Sequence, residues 1–329
     1  MELEAEDGVG EMDRSGNAGC TLCAVMNAID RSWPALPFAA WESTKTTLHM
    51  CLQVIGKLRL ASCPFEPEWG NVPLYVTARG LTTSPMPYAR GTFEVLVDLV
   101  AHEVVFETSD GRRRTFPLRA RPVAEFYRET MRTLRDLGID VTITGRPVEV
   151  PHPIPFEQDT VHREYDPAYA NKFFEVLSRV DVVMKQHRAP FIGRTTPVEF
   201  FWGTFDLAVM RFTGRRVEPP HDKGIIWEKG GDAEEICAGF WPGDERFREP
   251  AFFAYAYPKP AGLESSFVEP LGAEWNAEMG EFILPYESVR CSASPRDALL
   301  RFFSSTYEAC ARVLHLDPAL LTSNQISLA

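Results

Sequence analysis

The stretch FFWGTFDLAVMRF, residues 200–212, decides how the fold of this chain is interpreted. Its apolar residues predict a strand, and in a strand every second side chain lies on the same face of the sheet. Both faces of this strand are mainly apolar, which is typical of a central strand that is covered on each side. The same spacing places Asp206 and Arg211 on opposite faces, so these two charges are not expected to pair with each other.

Two full charges in so apolar a strand have two possible explanations. A buried charge without a partner costs several kcal/mol or gives up its charge. In a structural interpretation each charge therefore has its own partner, and the candidates are Arg79 or Arg194 for Asp206, and Glu199 or Glu287 for Arg211. In a functional interpretation both charges, together with Trp202, line a ligand site. The sequence leaves both explanations open.

The composition describes a globular protein with an acidic surface. The chain has 329 residues, 45% of them apolar, and its formal net charge is −12. This length and apolar share are sufficient for a large core, whereas the negative charge opposes binding to the phosphates of nucleic acids. The basic run GRRRTF, residues 111–116, lies at the predicted hairpin turn SDGR and is interpreted as a solvated strand face. We therefore predict no nucleic-acid partner.

Nothing in the sequence predicts a membrane protein or a secreted one. It has no run of about 18 apolar residues, which a membrane-spanning helix needs, and its acidic start MELEAEDG lacks the apolar segment of a signal peptide. Seven scattered cysteines are typical of reduced thiols in a cytosolic protein. Cys20 and Cys23 have no second pair and are not expected to bind metal. We predict a soluble cytoplasmic protein.

The order of predicted elements divides the chain into two halves. Residues 1–31 are rich in Gly and acidic side chains and are predicted to be a disordered extension, and residues 317–329 are a predicted C-terminal tail. The first half, 32–145, and the second half, 166–316, are each predicted to contain a helix, antiparallel strands and a second helix. A Pro-rich linker, 146–165, joins them. The predicted class is α+β, and the repeated order indicates an internal duplication, with chance agreement as the alternative.

Helical spacing and capping residues support this division. Apolar residues at helical spacing predict a helix over residues 38–60. Pro122 in a first turn and Gly138 after a last turn predict a helix over residues 122–137. In the second half, Asp166 is the predicted cap of one helix and Ser294 that of the last long helix.

Two other segments supply candidate binding residues. ARGLTTSPMPY, residues 78–88, places Arg79, Thr82 and Thr83 after a predicted strand, where hydroxyl and backbone N–H groups can hold an anion. The alternative is a rigid, Pro-rich connection between strands. His49 lies on the polar side of the first helix, where it faces solvent unless the two halves pack against it and make it a wall of the site.

Motifs of the well-known cofactor sites are absent from the sequence. It contains no phosphate-binding P-loop, no dinucleotide-binding glycine pattern and no motif of a catalytic nucleophile. The spacing of His152 and His162 matches no metal site. We therefore predict no cofactor and no metal.

Several longer motifs carry a family resemblance. They are WPALP (33–37), TLH (47–49), LYVTARGLTTSP (74–85), FFWGTFDLAVMRF (200–212), GFWPG (239–243), YAYP (255–258) and GEFILPYE (280–287). Over roughly residues 32–316 the chain resembles a bacterial family that is classed only as a domain of unknown function. The resemblance also implies a Ser-His-Glu run before GFWPG, where this chain has GGDAEEICA, so no histidine-dependent role is expected there.

The expected function is binding of a small polar or anionic molecule in an aromatic-lined cleft between the halves. The candidate ligand-binding residues are His49, Arg79, Thr82, Thr83, Arg194, Trp202, Asp206 and Arg211. In this interpretation the arginines hold an anion, and Asp206 orients an arginine or acts as a base if the protein is an enzyme. The alternative is a non-catalytic protein–protein interaction module, with a homo-oligomer as one form of it.

Overall fold

The computed structural model describes residues 33–220, 222 and 224–321. The predicted extension, the Cys20–Cys23 pair and most of the predicted C-terminal tail lie outside these residues. The described residues form six α-helices and twelve strands in two antiparallel sheets, which confirms the predicted α+β class. None of the described helices has both the length and the apolar character that crossing a membrane requires.

The first half contains two helices and the first sheet. The helices are α1 (Phe38–Ser62) and α2 (Val123–Asp136). The strands are β1 (Tyr75–Val76), β2 (Gly80–Thr82), β3 (Met86–Tyr88), β4 (Gly91–Asp98), β5 (Glu103–Thr108) and β6 (Arg113–Pro117). They pair in the order β1-β2-β4-β5-β6, and β3 also pairs with β4.

The second half contains four helices and the second sheet. The helices are α3 (Pro167–Arg188), α4 (Ile225–Gly230), α5 (Tyr286–Arg290) and α6 (Pro295–Val313). The strands are β7 (Glu199–Phe201), β8 (Asp206–Arg216), β9 (Ala233–Trp241), β10 (Ala251–Tyr257), β11 (Glu274–Asn276) and β12 (Glu281–Pro285). Their order in the sheet is β11-β12-β10-β9-β8-β7.

Residues 200–212 form a tight hairpin, so the prediction of one continuous strand was wrong. Strand β7 ends at Phe201 and β8 begins at Asp206, and these two residues pair across the hairpin. In the turn, Phe205 has a positive φ of 67° and donates its amide to the carbonyl oxygen of Phe201 at 2.8 Å. Apolar residues on both sides of the turn hide it from any analysis of periodicity. Asp206 and Arg211 still face opposite ways, because both lie on β8 at an odd spacing.

One hydrophobic core holds the two halves together. It includes buried side chains from α1, α3, α6 and one face of each sheet. Leu74 and Phe200 exchange backbone hydrogen bonds of 2.9 and 2.8 Å and so connect the two sheets. The linker is packed as well, since the Gln53 amide makes two hydrogen bonds to the backbone of Val148. The halves therefore form one packed body, and their origin by duplication stays a prediction.

Each sheet packs one face against the helices, and the opposite face is here called its outer face. The first outer face carries mostly polar and charged residues: Thr82, Glu94, Leu96, Asp98, Glu103, Val105, Glu107, Arg113 and Thr115. The second outer face is largely apolar: Asp206, Ala208, Met210, Phe212, Glu235, Cys237, Gly239, Trp241, Ala251, Phe253, Tyr255, Glu281 and Ile283. This difference directs attention to the second outer face.

Candidate functional site

The β7–β8 turn closes over the polar side of α1 and brings the halves into contact at His49. The Nε2 atom of His49 donates to the carbonyl oxygens of Trp202 and Gly203, at 3.0 and 2.9 Å. Burial lowers the pKa of His49 to about 3, and the positive charge of Lys45 contributes to the lowering. The second half packs against His49, which is the condition under which it does not face solvent, and its neutral ring holds the turn in place. Its role as a wall of a ligand site stays a prediction.

Trp202 is enclosed by the first half. A Cβ atom on Gly56 would lie 2.1 Å from Cδ1 of the Trp202 ring, so only glycine fits at that position of α1. The Trp202 indole N–H donates to the carbonyl oxygen of Val72 at 2.9 Å, and Nζ of Lys57 lies 5.6 Å from the ring centroid. Trp202 therefore fixes the position of the turn, and its side chain is only 3% exposed.

The centre of the second outer face is an apolar platform whose side chains are largely buried. Met210, Cys237 and Tyr255 lie side by side on three neighbouring strands. In the next row the ring of Phe253 lies over Gly239, where a Cβ atom would be 2.3 Å from Cζ of Phe253. Small residues in this row let the large ring lie flat against the sheet.

Asp206 stands at one corner of the second outer face, directly after the turn. Burial raises its pKa to about 7, a hydrogen bond from the Thr204 hydroxyl opposes the shift, and the negative charge of Glu149 adds to it. In the described part of the chain no basic side chain contributes to the pKa of Asp206. The carboxyl group is therefore partly buried and uncompensated.

The linker supplies Glu149 at the exposed rim of this corner. The backbone of Glu149 has a positive φ of 56°, which is uncommon for a residue other than glycine. Its Oε2 atom lies only 2.0 Å from the position that a Cβ atom on Gly203 would take. The absence of a side chain at Gly203 thus allows the carboxylate of Glu149 to approach the turn that carries Asp206.

A second titratable carboxyl group, that of Glu281, lies across the platform on β12. Burial raises the pKa of Glu281 to about 7, and the charge of Asp206 contributes to the rise while Arg246 opposes it. Between the two acids, the Cys237 thiol and the Tyr255 hydroxyl interact, and burial raises the pKa of both. Near pH 7 the two carboxyl groups can each donate or accept a hydrogen bond, and both can bind a positive group.

The candidates from residues 78–88 lie elsewhere, on the first sheet. Arg79 pairs with Asp98 at 2.5 Å, and its side chain is 52% exposed. The Thr82 hydroxyl donates to Glu94, and the Thr83 hydroxyl accepts the amide of Val95 at 2.9 Å. These residues do not meet Asp206, and their partners come from the same sheet.

Arg194 and Arg211 are placed apart from Asp206 and from each other. Arg194 forms an ion pair with Glu68, and its guanidinium lies 4.5 Å from the ring centroid of Phe212. Arg211 points into the core, donates to the carbonyl oxygen of His187, and lies 4.3 Å from the ring centroid of Tyr307.

The predicted ion-pair partners of Asp206 and Arg211 were wrong. Arg79 and Arg194 pair with other acids, as given above. Glu199 lies 3.5 Å from the Tyr75 hydroxyl, and Glu287 pairs with Arg290. Neither Asp206 nor Arg211 therefore forms an ion pair with any of its predicted partners.

Sequence analysis missed Glu149, Glu281 and Tyr255. The last two lie within the motifs GEFILPYE and YAYP, whose alternation places them on the outer face, and this signal was available. No sequence pattern marks Glu149 as a site residue, because only the packing of the linker brings it to Gly203. Among the described residues no group of three or more His, Cys, Asp or Glu side chains is arranged to hold a metal ion.

Comparison with known proteins identifies the family. The model of DUF5996, a family of unknown function, matches residues 33–323, so the chain belongs to this family. The comparison with curated proteins gave no match. The comparison with solved structures gave none either.

Proposed function

We propose that this member of a family without an assigned activity binds a small polar molecule at the Asp206 corner of the second outer face. The observation that carries the proposal is the presence on one apolar face of two carboxyl groups, Asp206 and Glu281, whose pKa values are both raised to about 7. Uncompensated, partly buried titratable groups are costly to keep and concentrate at functional sites.

The charge around Asp206 favours a basic ligand, such as an amine, over an anion. Glu149 adds negative charge to this corner, Glu281 adds negative charge to the same outer face, and the whole chain carries a net charge of −12. An ammonium group beside Asp206 and Glu149 would favour the ionised form of Asp206 and replace the water that this carboxylate loses. The three arginines expected to hold an anion point to separate places, which argues against an anionic ligand.

The neighbouring aromatic side chains supply the apolar part of such a site. Tyr255 is partly buried on the same outer face, and Phe201 pairs with Asp206 across the hairpin. Small-molecule sites combine an apolar and aromatic lining with a few polar groups that fix the orientation of the ligand. A cytoplasmic location, which the sequence predicts, fits a ligand drawn from the pool of small metabolites.

The test is thermal unfolding of the full chain against a panel of small amines, with carboxylates and phosphates of similar size as the opposing class. A compound present at about 100 times its Kd adds roughly 2.7 kcal/mol, which raises Tm by several degrees. We expect amines to raise the Tm of the wild type and to lose this effect in Asp206→Asn.

Arg79→Gln is the matched control, because Arg79 is exposed and lies on the other sheet. We expect this variant to keep the response to amines. A response to anions only, lost in Arg79→Gln or Arg211→Gln, would contradict the proposed site and restore the anion-binding interpretation. A response to amines that survives in Asp206→Asn would place the ligand elsewhere.

A second candidate function, self-association, is supported by exposed apolar side chains in the loop before β11. Phe267 is 84% exposed and Leu271 is fully exposed, and both border a cavity of about 370 Å³ that Trp275 also lines. Large exposed apolar side chains are typical of surfaces that bind another protein. Under this alternative the wild type sediments as a dimer and Phe267→Asp sediments as a monomer. A wild type that stays monomeric at high concentration would contradict self-association.

A further inference from the structure

The loop between β10 and β11 holds large apolar side chains at the surface. Leu263 and Val268 are buried and anchor the loop. The hydroxyl of Ser305 on α6 accepts the Glu269 amide at 2.8 Å and donates to the Glu269 carbonyl oxygen at 3.1 Å. Phe267, the residue before the anchor Val268, is nevertheless 84% exposed. The loop is therefore attached to the body of the protein on both sides of an outward-facing ring.

The cavity beside this loop has an apolar and acidic lining. Its volume of about 370 Å³ lies near the lower end of the range for binding pockets, roughly 300 to 1,000 Å³. Trp275 and Phe282 contribute aromatic rings to it, and these rings pack edge to face with centroids 5.0 Å apart. Glu264, Glu269 and Glu274 also line it, and none of the described lining residues is a lysine or an arginine. The cavity therefore suits an apolar group with positive charge beside it.

The chain's own Lys259 shows how this surface interacts with a cation. Nζ of Lys259 lies 5.1 Å from the ring centroid of Trp275 and 3.6 Å from Oε2 of Glu264. An aromatic face and a carboxylate together are a usual environment for an ammonium group. Both charged side chains are about half exposed, and exposed ion pairs contribute little to stability. A lysine or arginine of a partner can therefore replace Lys259 at little cost.

Strand β11, which borders the cavity, is a free edge of the second sheet. In the described part of the chain β12 pairs with one side of β11 and no strand pairs with the other side. The opposite edge of the sheet, β7, is occupied, because Phe200 and Leu74 exchange backbone hydrogen bonds. A free edge offers backbone N–H and C=O groups to an added strand.

The two faces of β11 determine which side chains an added strand needs. Trp275 pairs with Phe282 and lies with it on the face that packs against the helices. Glu274 pairs with Ile283 and lies on the outer face. Side chains alternate along a strand, and those on neighbouring strands meet on the same face. A strand added to β11 would therefore place one side chain beside Trp275, at the cavity, and the next beside Glu274.

We infer that β11 and this cavity, here called the edge site, bind an extended segment of a basic partner protein. The segment pairs with β11, places a large apolar side chain in the cavity beside Trp275, and places a lysine or arginine opposite Glu274. Because β11 has only 3 residues, the side chains carry most of the recognition. The inference does not rest on the Asp206 site, which lies on β8 toward the other side of the sheet.

The charge of the edge site favours a different protein over a second copy of this chain. In a two-fold dimer the same surface meets itself. Glu264, Glu269 and Glu274 would then face their own equivalents, and like charges across an interface oppose association. The net charge of −12 on each chain adds to this repulsion. A basic segment instead brings opposite charge to these acids.

The experiment selects phage-displayed random heptapeptides on the immobilised full chain and measures the binding of an enriched peptide by fluorescence anisotropy. We expect enriched peptides to alternate lysine or arginine with large apolar residues, and their binding to weaken as salt is added. Phe267→Ser should weaken binding at least about tenfold, because it removes a large apolar contact at the cavity. N-methylation of two consecutive peptide residues should also weaken binding, because one of their two N–H groups faces β11.

Phe65→Ser is the matched control. Phe65 is another exposed phenylalanine, 55% exposed, and it lies in the first half. We expect this variant to bind the peptide as the wild type does, and thermal unfolding checks that both variants are folded. Enriched peptides without basic residues, a selection without enrichment, or equal binding to Phe267→Ser and wild type would overturn the inference. A wild-type dimer in sedimentation analysis that the peptide does not dissociate would assign the surface to a second copy instead.

Discussion

The two outer faces of this protein are built from similar antiparallel strands and differ in what they present. The first outer face carries mostly polar and charged residues and has ion pairs in contact with solvent, such as those of Arg113 with Glu103 and Glu107. The second outer face is apolar, and burial raises the pKa of each of its acids, Asp206, Glu235 and Glu281. One sheet therefore behaves as an ordinary solvated surface, whereas the other resembles an interior surface with titratable groups at its edge.

The contrast is sharpest between two aspartates, Asp98 and Asp206. Burial alone would raise the pKa of Asp98, but hydrogen bonds from the Ala101 amide, Arg79 and the Val100 amide lower it. For Asp206, burial dominates and raises the pKa to about 7. The charge of Asp98 therefore stabilises the folded state, whereas the charge of Asp206 destabilises it. The predictions below test this difference.

The largest expected effect is the loss of an aromatic side chain from the second outer face. Phe253→Ala should lower the free energy of unfolding by about 3 to 5 kcal/mol, because it removes a buried ring and leaves a cavity. Thr115→Ala on the exposed first outer face should change it by less than about 1 kcal/mol. Urea unfolding of both variants checks this, and similar small losses would show that the second outer face is not packed.

A smaller effect is expected for Asp98→Asn. This substitution should lower the free energy of unfolding by about 2 kcal/mol at pH 7, because it removes charge-assisted hydrogen bonds. Because the pKa of Asp98 is lowered in the folded state, its stabilisation is present above the unfolded value near 4 and is lost as the pH falls through the folded value. Unfolding at pH 7 and pH 3 should show the cost shrinking in acid. A cost that is equal at both values would contradict a role for the charge.

Asp206→Asn should change the free energy of unfolding in the opposite direction and stabilise the protein. The unfolded carboxyl group ionises near pH 4, whereas the folded one ionises near 7, so the folded state loses stability as the pH rises between these values. Removing the charge should therefore stabilise the protein at pH 8 by about 1 to 2 kcal/mol, after allowance for partial exposure, and have little effect at pH 4. Destabilisation at pH 8 would show that the carboxylate has a partner in solution.

The same contrast explains how much the sequence could predict. Helical spacing over residues 38–60 and the predicted caps Asp166 and Ser294 are local signals, and they predicted the α+β class and the order of elements. The Asp166 side chain does accept cap hydrogen bonds, whereas the Ser294 hydroxyl donates to Asp297. The turn at residues 202–205 was missed, because its residues are as apolar as the strands beside it. The surroundings of His49 and Glu149 depend on contacts between distant segments, which no local pattern encodes, so the residues that meet at Asp206 could not be predicted.

The smallest expected effect isolates the contact between the linker and the turn. In Gly203→Ala the new Cβ meets only the flexible end of the Glu149 side chain, so the cost in stability should be less than about 1 kcal/mol. Displacing that carboxylate removes negative charge near Asp206 and lowers the pKa of Asp206. The stabilisation that Asp206→Asn produces at pH 8 should then be smaller in the Gly203→Ala background than in the wild type. Gly145→Ala is the control, because its Cβ meets no atom within 4 Å and should leave that gain unchanged. Equal gains in all three backgrounds would mean that burial alone, without Glu149, sets the pKa of Asp206.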